Sequence, residues 1–239
     1  MTDKIFLYVN PGQLKDSKFI LSEEESHHLK HVLRLNKGQN IWLTDGEGCS
    51  YQGELTSVNG KARGFIHKIF PGQGENPWKI QLAMPVIKKS RMEWMIEKAT
   101  ELGVNNISLI WMERCRKQNL NFSRLSRIIQ SAGKQSGRSK FPELIEYSSL
   151  SDFLNQNTNN IVAAHSQGKI FLNQYLEQTT ENELTLVIGP EGDFSKDEIE
   201  LMLRKDIPQI NLGYRRLRSE TAGIYVLSNV SDYSLNLTN

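Results

Sequence analysis

The sequence predicts an α/β protein: a β-rich start of about 72 residues, then a mostly parallel sheet with helices on both faces. Three observations carry this prediction. Residues 1–72 hold short apolar runs and a single helical pattern. From residue 73 to 239, strand and helix signals alternate in the rhythm of βα units. Two glycine-bearing loops, IGPEG (188–192) and LGYRRLR (212–218), each follow an apolar run and precede a helix start. Successive strand–loop–helix units place both loops at the carboxyl edge of the sheet, where open α/β sheets bind ligands.

Each element has its own signal. In the first 72 residues, IFLYV, FIL, NIWLTD, YQGELTSV and ARGFIHKIF read as short strands, with Asp45-Gly46 as a hairpin turn. Ser22 and Glu25 form an S-x-x-E cap before HHLKHVLRL, a helix expected to turn Leu29, Val32 and Leu33 inward and Lys30, Arg34 and Lys37 outward. A unit of this size has a marginal core. PGQGENP (71–77) is turn-rich and reads as a linker. Beyond it, residues 80–87 form a strand. Residues 89–102 form a helix with Met92, Met95, Ile96, Ala99 and Leu102 on one face and Gly103 at its end. A strand over 107–111, a basic amphipathic helix over 122–135, a strand over 143–148, a helix over 152–156 and a strand over 161–165 follow. Residues 184–188 are a buried-type strand, and Ser195 with Glu198 caps a helix from Lys196 whose face is Ile199, Met202 and Leu203. Residues 209–212 form the next strand. Ser219 caps a last helix with Ala222, Tyr225, Val226 and Asn229 on one side.

Composition bounds the class. The length of 239 residues suits one large or two small domains. Cys49 and Cys115 stand far apart with no C-x-x-C, which argues against a disulfide framework or zinc site and fits a reducing compartment. MTDKIFLYVN lacks the apolar core of a leader, and no run reaches the ~18 apolar residues of a membrane span, so a cytoplasmic protein is expected. The clustered His27, His28 and His31 have no acidic or cysteine ligand spaced to complete a metal site. The net charge is only +2, but it is unevenly spread. Residues 113–140 carry eight Lys/Arg against one acid, and residues 143–206 twelve acids against four Lys/Arg. A solvated face and a polyanion track both fit the basic stretch; clustered Lys/Arg release condensed counterions when they meet phosphates.

The helical half contains no G-x-G-x-x-G, Walker A loop, G-x-S-x-G elbow or H-E-x-x-H. Nucleotide hydrolysis, dehydrogenase and serine-hydrolase chemistry therefore lack their residues. What remains is the pair of glycine loops, QSGR (135–138) within a basic stretch, and RRLRSETA (215–222). Backbone N–H groups at two helix starts suit a carboxylate, a phosphate or a polar heterocycle.

IGPEGDFSKDE followed by LGYRRLRSETA resembles the signature of the ribosomal RNA small-subunit methyltransferase E family, SPOUT-class enzymes that methylate N3 of a uridine in bacterial 16S rRNA. HHLKHVLRLNKGQ, KKSRMEWMIEKATELGV, and QSGR followed by Pro142 are similar to that family's other blocks, so the resemblance covers nearly the whole chain. One position departs: the family usually has a second glycine where Asp193 stands.

The resemblance implies a PUA-like β-barrel over 1–72 that binds RNA, and a SPOUT domain over 73–239 with a C-terminal trefoil knot. It implies a homodimer and S-adenosylmethionine held in the knot's loops. The cofactor residues would be Ala164, His165, Ile188, Gly189, Pro190, Glu191, Gly192, Leu212, Gly213, Leu217, Arg218, Thr221 and Ala222. The partner would be 16S rRNA or the small ribosomal subunit. Contacts to it are expected from His28, Arg34, Lys88, Arg91, Arg114, Arg116, Arg124, Arg127 and Lys134.

Uridine N3 is a poor nucleophile until it loses its proton. An enzyme must hold the uracil edge, favour the N3 anion and align it with the methyl group. An arginine near O2 or O4 would stabilise the anion and a carboxylate would take the proton. Arg138, Arg218 and Glu220 have that chemistry, and Gly137 is expected to leave the Arg138 guanidinium reaching into a cleft. Phosphate binding by Arg138 and a structural Arg218–Glu220 pair are the alternatives. Two rival functions stay open: another SPOUT RNA methyltransferase acting on tRNA or ribose 2′-OH, and a non-catalytic RNA-binding assembly factor.

Overall fold

The computed structural model describes residues 5–237, so the first four residues of the stretch read as lacking a leader's apolar core lie outside the described residues. The chain divides into two compact units, one of residues 1–75 and 129–141, the other of residues 76–128 and 142–239.

The first unit contains β1 (Phe6–Tyr8), β2 (Leu14–Lys15), β3 (Lys18–Ile20), α1 (Glu23–His31), β4 (Asn40–Thr44), β5 (Cys49–Ser57) and β6 (Arg63–Pro71). Its strands form one sheet in the order β1-β4-β5-β6-β3-β2, antiparallel except for the parallel β1–β4 pair. Phe19, Leu21, Leu29, Leu43 and Leu55 fill its core, all fully buried. Gly53 and Gly64 let β5 and β6 approach closely over Phe19: a Cβ on Gly64 would lie 2.0 Å from the Glu54 carbonyl oxygen. As expected, Ser22 caps α1, its hydroxyl accepting from the Glu25 N–H at 3.1 Å. The expected inward face is corrected at its end. The helix stops at His31, Val32 is 62% exposed, and Arg34 takes a φ of 54°. Once the turn unwinds, the 3.6-residue period no longer decides which side chain faces in.

Residues 129–141 complete this unit. Glu75 organises them. Its Oε2 accepts from Arg138 Nη2 at 2.5 Å, and its Oε1 from the Lys140 N–H at 2.8 Å and Ser139 Oγ at 3.3 Å. The Thr44 hydroxyl donates to the Arg138 carbonyl at 2.9 Å, and the Gly48 N–H to the Ser139 carbonyl at 2.9 Å. The expectation of an Arg138 side chain reaching into a cleft is therefore corrected. Arg138 is 1% exposed, because a guanidinium withdrawn from water needs a carboxylate and finds Glu75.

The second unit contains β7 (Lys79–Pro85), α2 (Lys89–Glu101), β8 (Asn106–Ile110), the first half of α3 (Phe122–Ser136), β9 (Glu143–Tyr147), α4 (Leu150–Gln156), β10 (Ile161–Ala164), β11 (Ile170–Phe171), α5 (Leu172–Gln178), β12 (Glu183–Ile188), α6 (Lys196–Arg204), β13 (Gln209–Asn211) and α7 (Ser219–Asn236). All seven strands are parallel, in the order β11-β13-β10-β12-β7-β8-β9. A parallel sheet covered on both faces needs uninterrupted apolar strands, and β12 is buried from Leu184 to Ile188. The S-x-x-E box of α6 forms reciprocally: Ser195 Oγ accepts from the Glu198 N–H at 3.2 Å, and Glu198 Oε2 from the Ser195 N–H at 2.8 Å.

Two expectations for α7 are corrected. Ser219 is the first helical residue rather than the cap, and its hydroxyl donates to the Gly189 carbonyl at 2.7 Å. The buried face is Ala222, Gly223, Val226, Leu227 and Val230, whereas Tyr225 is 42% exposed and Asn229 is exposed. Gly223 faces Leu82 of β7 and Met95 of α2, where α7 packs.

Candidate active site

At the carboxyl edge of the second unit's sheet, β10 lies between β12 and β13. Residues that follow each of these strands meet around one cavity of about 1080 Å³. Ala164 and His165 come from β10 and its loop, Ile188 to Gly192 from the loop after β12, and Leu212, Gly213, Leu217, Arg218 and Ala222 from the segment after β13. Every residue assigned to a cofactor from the sequence lines this cavity except Thr221, which is exposed in the first turn of α7. Arg91, Ser166, Asp193, Asn211, Tyr214 to Arg216 and Ser219 also line it.

Backbone geometry keeps the loops open. Gly192 has φ 94° and Gly213 φ 109°, conformations that a side chain opposes. A Cβ on Gly213 would meet nothing within 4 Å, so its backbone faces open space. Gly213→Val is therefore expected to abolish ligand binding at these loops by forcing the backbone out of this φ rather than by filling the cavity, at a local cost of about 1–3 kcal/mol. Calorimetric titration of the variant checks this, once its circular dichroism matches that of the parent.

Side chains tie the loops together. Asp193 occupies φ 73°, the left-handed region that Asp tolerates better than most residues. Its Oδ1 accepts from the Phe194 N–H at 2.9 Å and its Oδ2 from Ser166 Oγ at 2.9 Å. His165 Nε2 lies 3.5 Å from the same Oδ2, and His165 Nδ1 meets Gln209 Oε1 at 2.9 Å. Asn211 bridges the other way, accepting from the Gly213 N–H at 2.8 Å and donating to the Ser166 carbonyl at 3.0 Å. The N-x-G pattern at 211–213 is an Asx-turn signal that could have exposed this role.

Arg91, on α2, contacts Glu191 and places its Nε 3.4 Å from Glu220 Oε1. Glu220 is 7% exposed, and its Oε2 is buried without a hydrogen-bond partner. Arg218 lines the cavity and is exposed. Of the three groups assigned catalytic chemistry, Arg218 lines the cavity, Glu220 lies behind its lining against Arg91, and Arg138 is the buried partner of Glu75 in the first unit.

The cations expected to meet RNA divide by environment. Arg114 donates to the Gly192 carbonyl and, at 3.2 Å, to that of Asp193, so it braces the loop. Arg124 makes a two-point pair with Glu93 at 2.6 and 2.9 Å, which holds the Glu93 carboxyl below its ordinary range. Lys134 meets Glu25 at 2.5 Å in the first unit. Lys88, Arg116 and Arg127 in the second unit and Arg34 in the first are exposed, and none forms an ion pair among the described residues. His28 is half-buried on α1.

The chain matches the RNA methyltransferase domain family over residues 74–231 and the RNA methyltransferase PUA domain family over residues 21–62. It is 30% identical to ribosomal RNA small subunit methyltransferase E of Mesomycoplasma hyopneumoniae, over 92% of this chain and 96% of that one. The protein of the same name in Rickettsia conorii is 28% identical, over 94% of this chain and 93% of its own. A crystal structure of ribosomal RNA small subunit methyltransferase E from Neisseria gonorrhoeae, bound to S-adenosyl methionine, superposes with a TM-score of 0.85 at 25% identity, covering 96% of this chain and 97% of that one.

Proposed function

The chain belongs to the ribosomal RNA small subunit methyltransferase E family, and on that premise we propose that it transfers a methyl group from S-adenosylmethionine to N3 of a uridine in 16S rRNA. The observation that carries this reading is the convergence of three loops on one cavity at the carboxyl edge of the sheet. The residues present fit the cofactor. Backbone groups of 188–192 and 212–218 would hold its polar parts, and Ile188, Leu212, Leu217 and Ala222 give apolar walls for its adenine. When bound, S-adenosylmethionine supplies an electrophilic methyl group.

The chain's own work is on the uracil. Arg218 lines the cavity and in this reading stabilises charge on a uracil oxygen as N3 ionises. Glu220 keeps one oxygen without a donor and is the acceptor for the N3 proton. Arg91, gripping Glu191 and Glu220 at once, positions that carboxylate relative to the loop after β12. The first unit is the RNA-binding PUA-like element of this proposal. The working form is a cytoplasmic homodimer whose C-terminal segment is threaded as a trefoil knot. The out-of-order neighbours β12, β10 and β13 support the threading. Among the described residues, no helix is long and apolar enough to cross a membrane.

Nucleoside mass spectrometry of small-subunit rRNA incubated with the protein and cofactor tests the reading. N3-methyluridine is expected. A 2′-O-methyl product would make the chain a ribose enzyme, and no product despite cofactor binding would make it an assembly factor. Salt dependence tests the RNA track. Each phosphate contact contributes about 0.7–0.9 to the log–log slope, so Arg116→Glu with Arg127→Glu should flatten it by roughly 1.4–1.8. An unchanged slope would show that these exposed cations are only solvated.

A further inference from the structure

We propose that Tyr214, backed by Phe171, is a stacking platform for an unpaired base of the substrate RNA next to the methylated nucleotide. The proposal rests on the RNA methyltransferase reading and adds a recognition element to it. Tyr214 is 98% exposed, in the segment between β13 and α7, at the rim of the cavity. Its ring stands edge-on to that of Phe171, with centroids 6.1 Å apart and planes at 70°. Phe171, where β11 passes into α5, is itself 39% exposed. Single exposed aromatics are ordinary on protein surfaces. Here, however, Tyr214 is followed by Arg215 and Arg216, with Arg218 two residues on, all exposed and none in an ion pair among the described residues. Three cations within four residues repel one another until an anion lies between them.

A flat ring beside such a cluster matches a single nucleic-acid strand, whose phosphates answer the arginines and whose base stacks on the ring. The supporting contact fixes the platform. Phe171 braces one edge of the tyrosine ring, and the Phe171 N–H is held by Gln174 Oε1 at 2.9 Å. Like charge on the same segment argues against a second copy of the chain as occupant, because two such loops meeting would oppose six arginines.

The test uses the full chain and an oligonucleotide of small-subunit rRNA spanning the methylated site. Tyr214→Ala should weaken RNA binding by roughly 5- to 100-fold, the range for losing one base–aromatic stack. Tyr214→Trp should retain binding. Abasic nucleotides are then placed one at a time beside the target. At one position, the loss from the missing base and the loss from Tyr214→Ala should fail to add, as for two halves of one contact. Additive losses at every position would overturn the platform, as would wild-type affinity in Tyr214→Ala. A fall in sedimentation mass on Tyr214→Ala would also overturn it, by showing that the ring packs on a second copy. A wild-type chain that neither binds nor methylates the RNA would overturn the RNA methyltransferase reading as well. Failure of the platform alone leaves wild-type methylation intact.

Discussion

Glu75→Ala is expected to destabilise the first unit by about 3–5 kcal/mol, the cost of removing one partner of a buried ion pair. Arg138 is 1% exposed, and Glu75, itself 14% exposed at the side chain, supplies the carboxylate that compensates it. The same carboxylate accepts from the Lys140 N–H and Ser139 Oγ, so its removal also strands neutral donors. Urea unfolding followed through Trp42, on β4, measures the loss. Arg138→Met in the Glu75→Ala background should recover part of it, because no desolvated charge is then left behind. A Glu75→Ala variant of unchanged stability would mean that water reaches the guanidinium. Arg138→Lys should likewise act first on stability, since one ammonium cannot reproduce the fork held by Glu75.

Glu220→Gln is expected to slow single-turnover methylation by about 10²- to 10⁴-fold at saturating RNA and cofactor, the range for losing a positioned proton acceptor. Glutamine keeps the size of the side chain and an oxygen for Arg91 Nε, but it cannot take a proton. The pH profile separates this role from a structural one. As pH rises, N3 loses its proton to solvent without help, so the Gln variant should gain rate more steeply than the parent. A purely structural Glu220 would leave the shape of the profile unmoved. A variant with near-normal rate would release the proton to water and reduce Glu220 to a partner of Arg91.

What the sequence disclosed depends on how local each cause is. The box at Ser195 and Glu198 was legible because its two hydrogen bonds span four residues. The loops at 188–192 and 212–218 were legible because glycine and proline leave a signature in the chain itself. Asp193 read as a departure, and its φ of 73° explains why a glycine would sit easily there. The buried side of α7 was misread at Tyr225, because apolar periodicity gives no weight to Gly223. β11 and α5 went unread: the strand has two residues, and LNQYLEQ buries only Leu172 and Leu176. Arg138 looked accessible because its partner is 63 residues earlier in the chain, a pairing that no local pattern encodes. The split of α3 between two compact units is likewise a tertiary fact, since its helical signal runs unbroken across residue 128.

That split has a consequence for the order in which the protein can be made. The ribosome releases the chain from its amino end, and domains generally mature in that order. Here the first sheet emerges with the Glu75 carboxylate and the Thr44 hydroxyl waiting for groups at 138–140. Before those arrive, β7, α2, β8 and the first half of α3 must be translated, and all of them belong to the other unit. The amino-terminal half is thus begun first and finished late. A nascent chain halted anywhere short of residue 141 carries an incomplete first unit, however many of its strands have already paired.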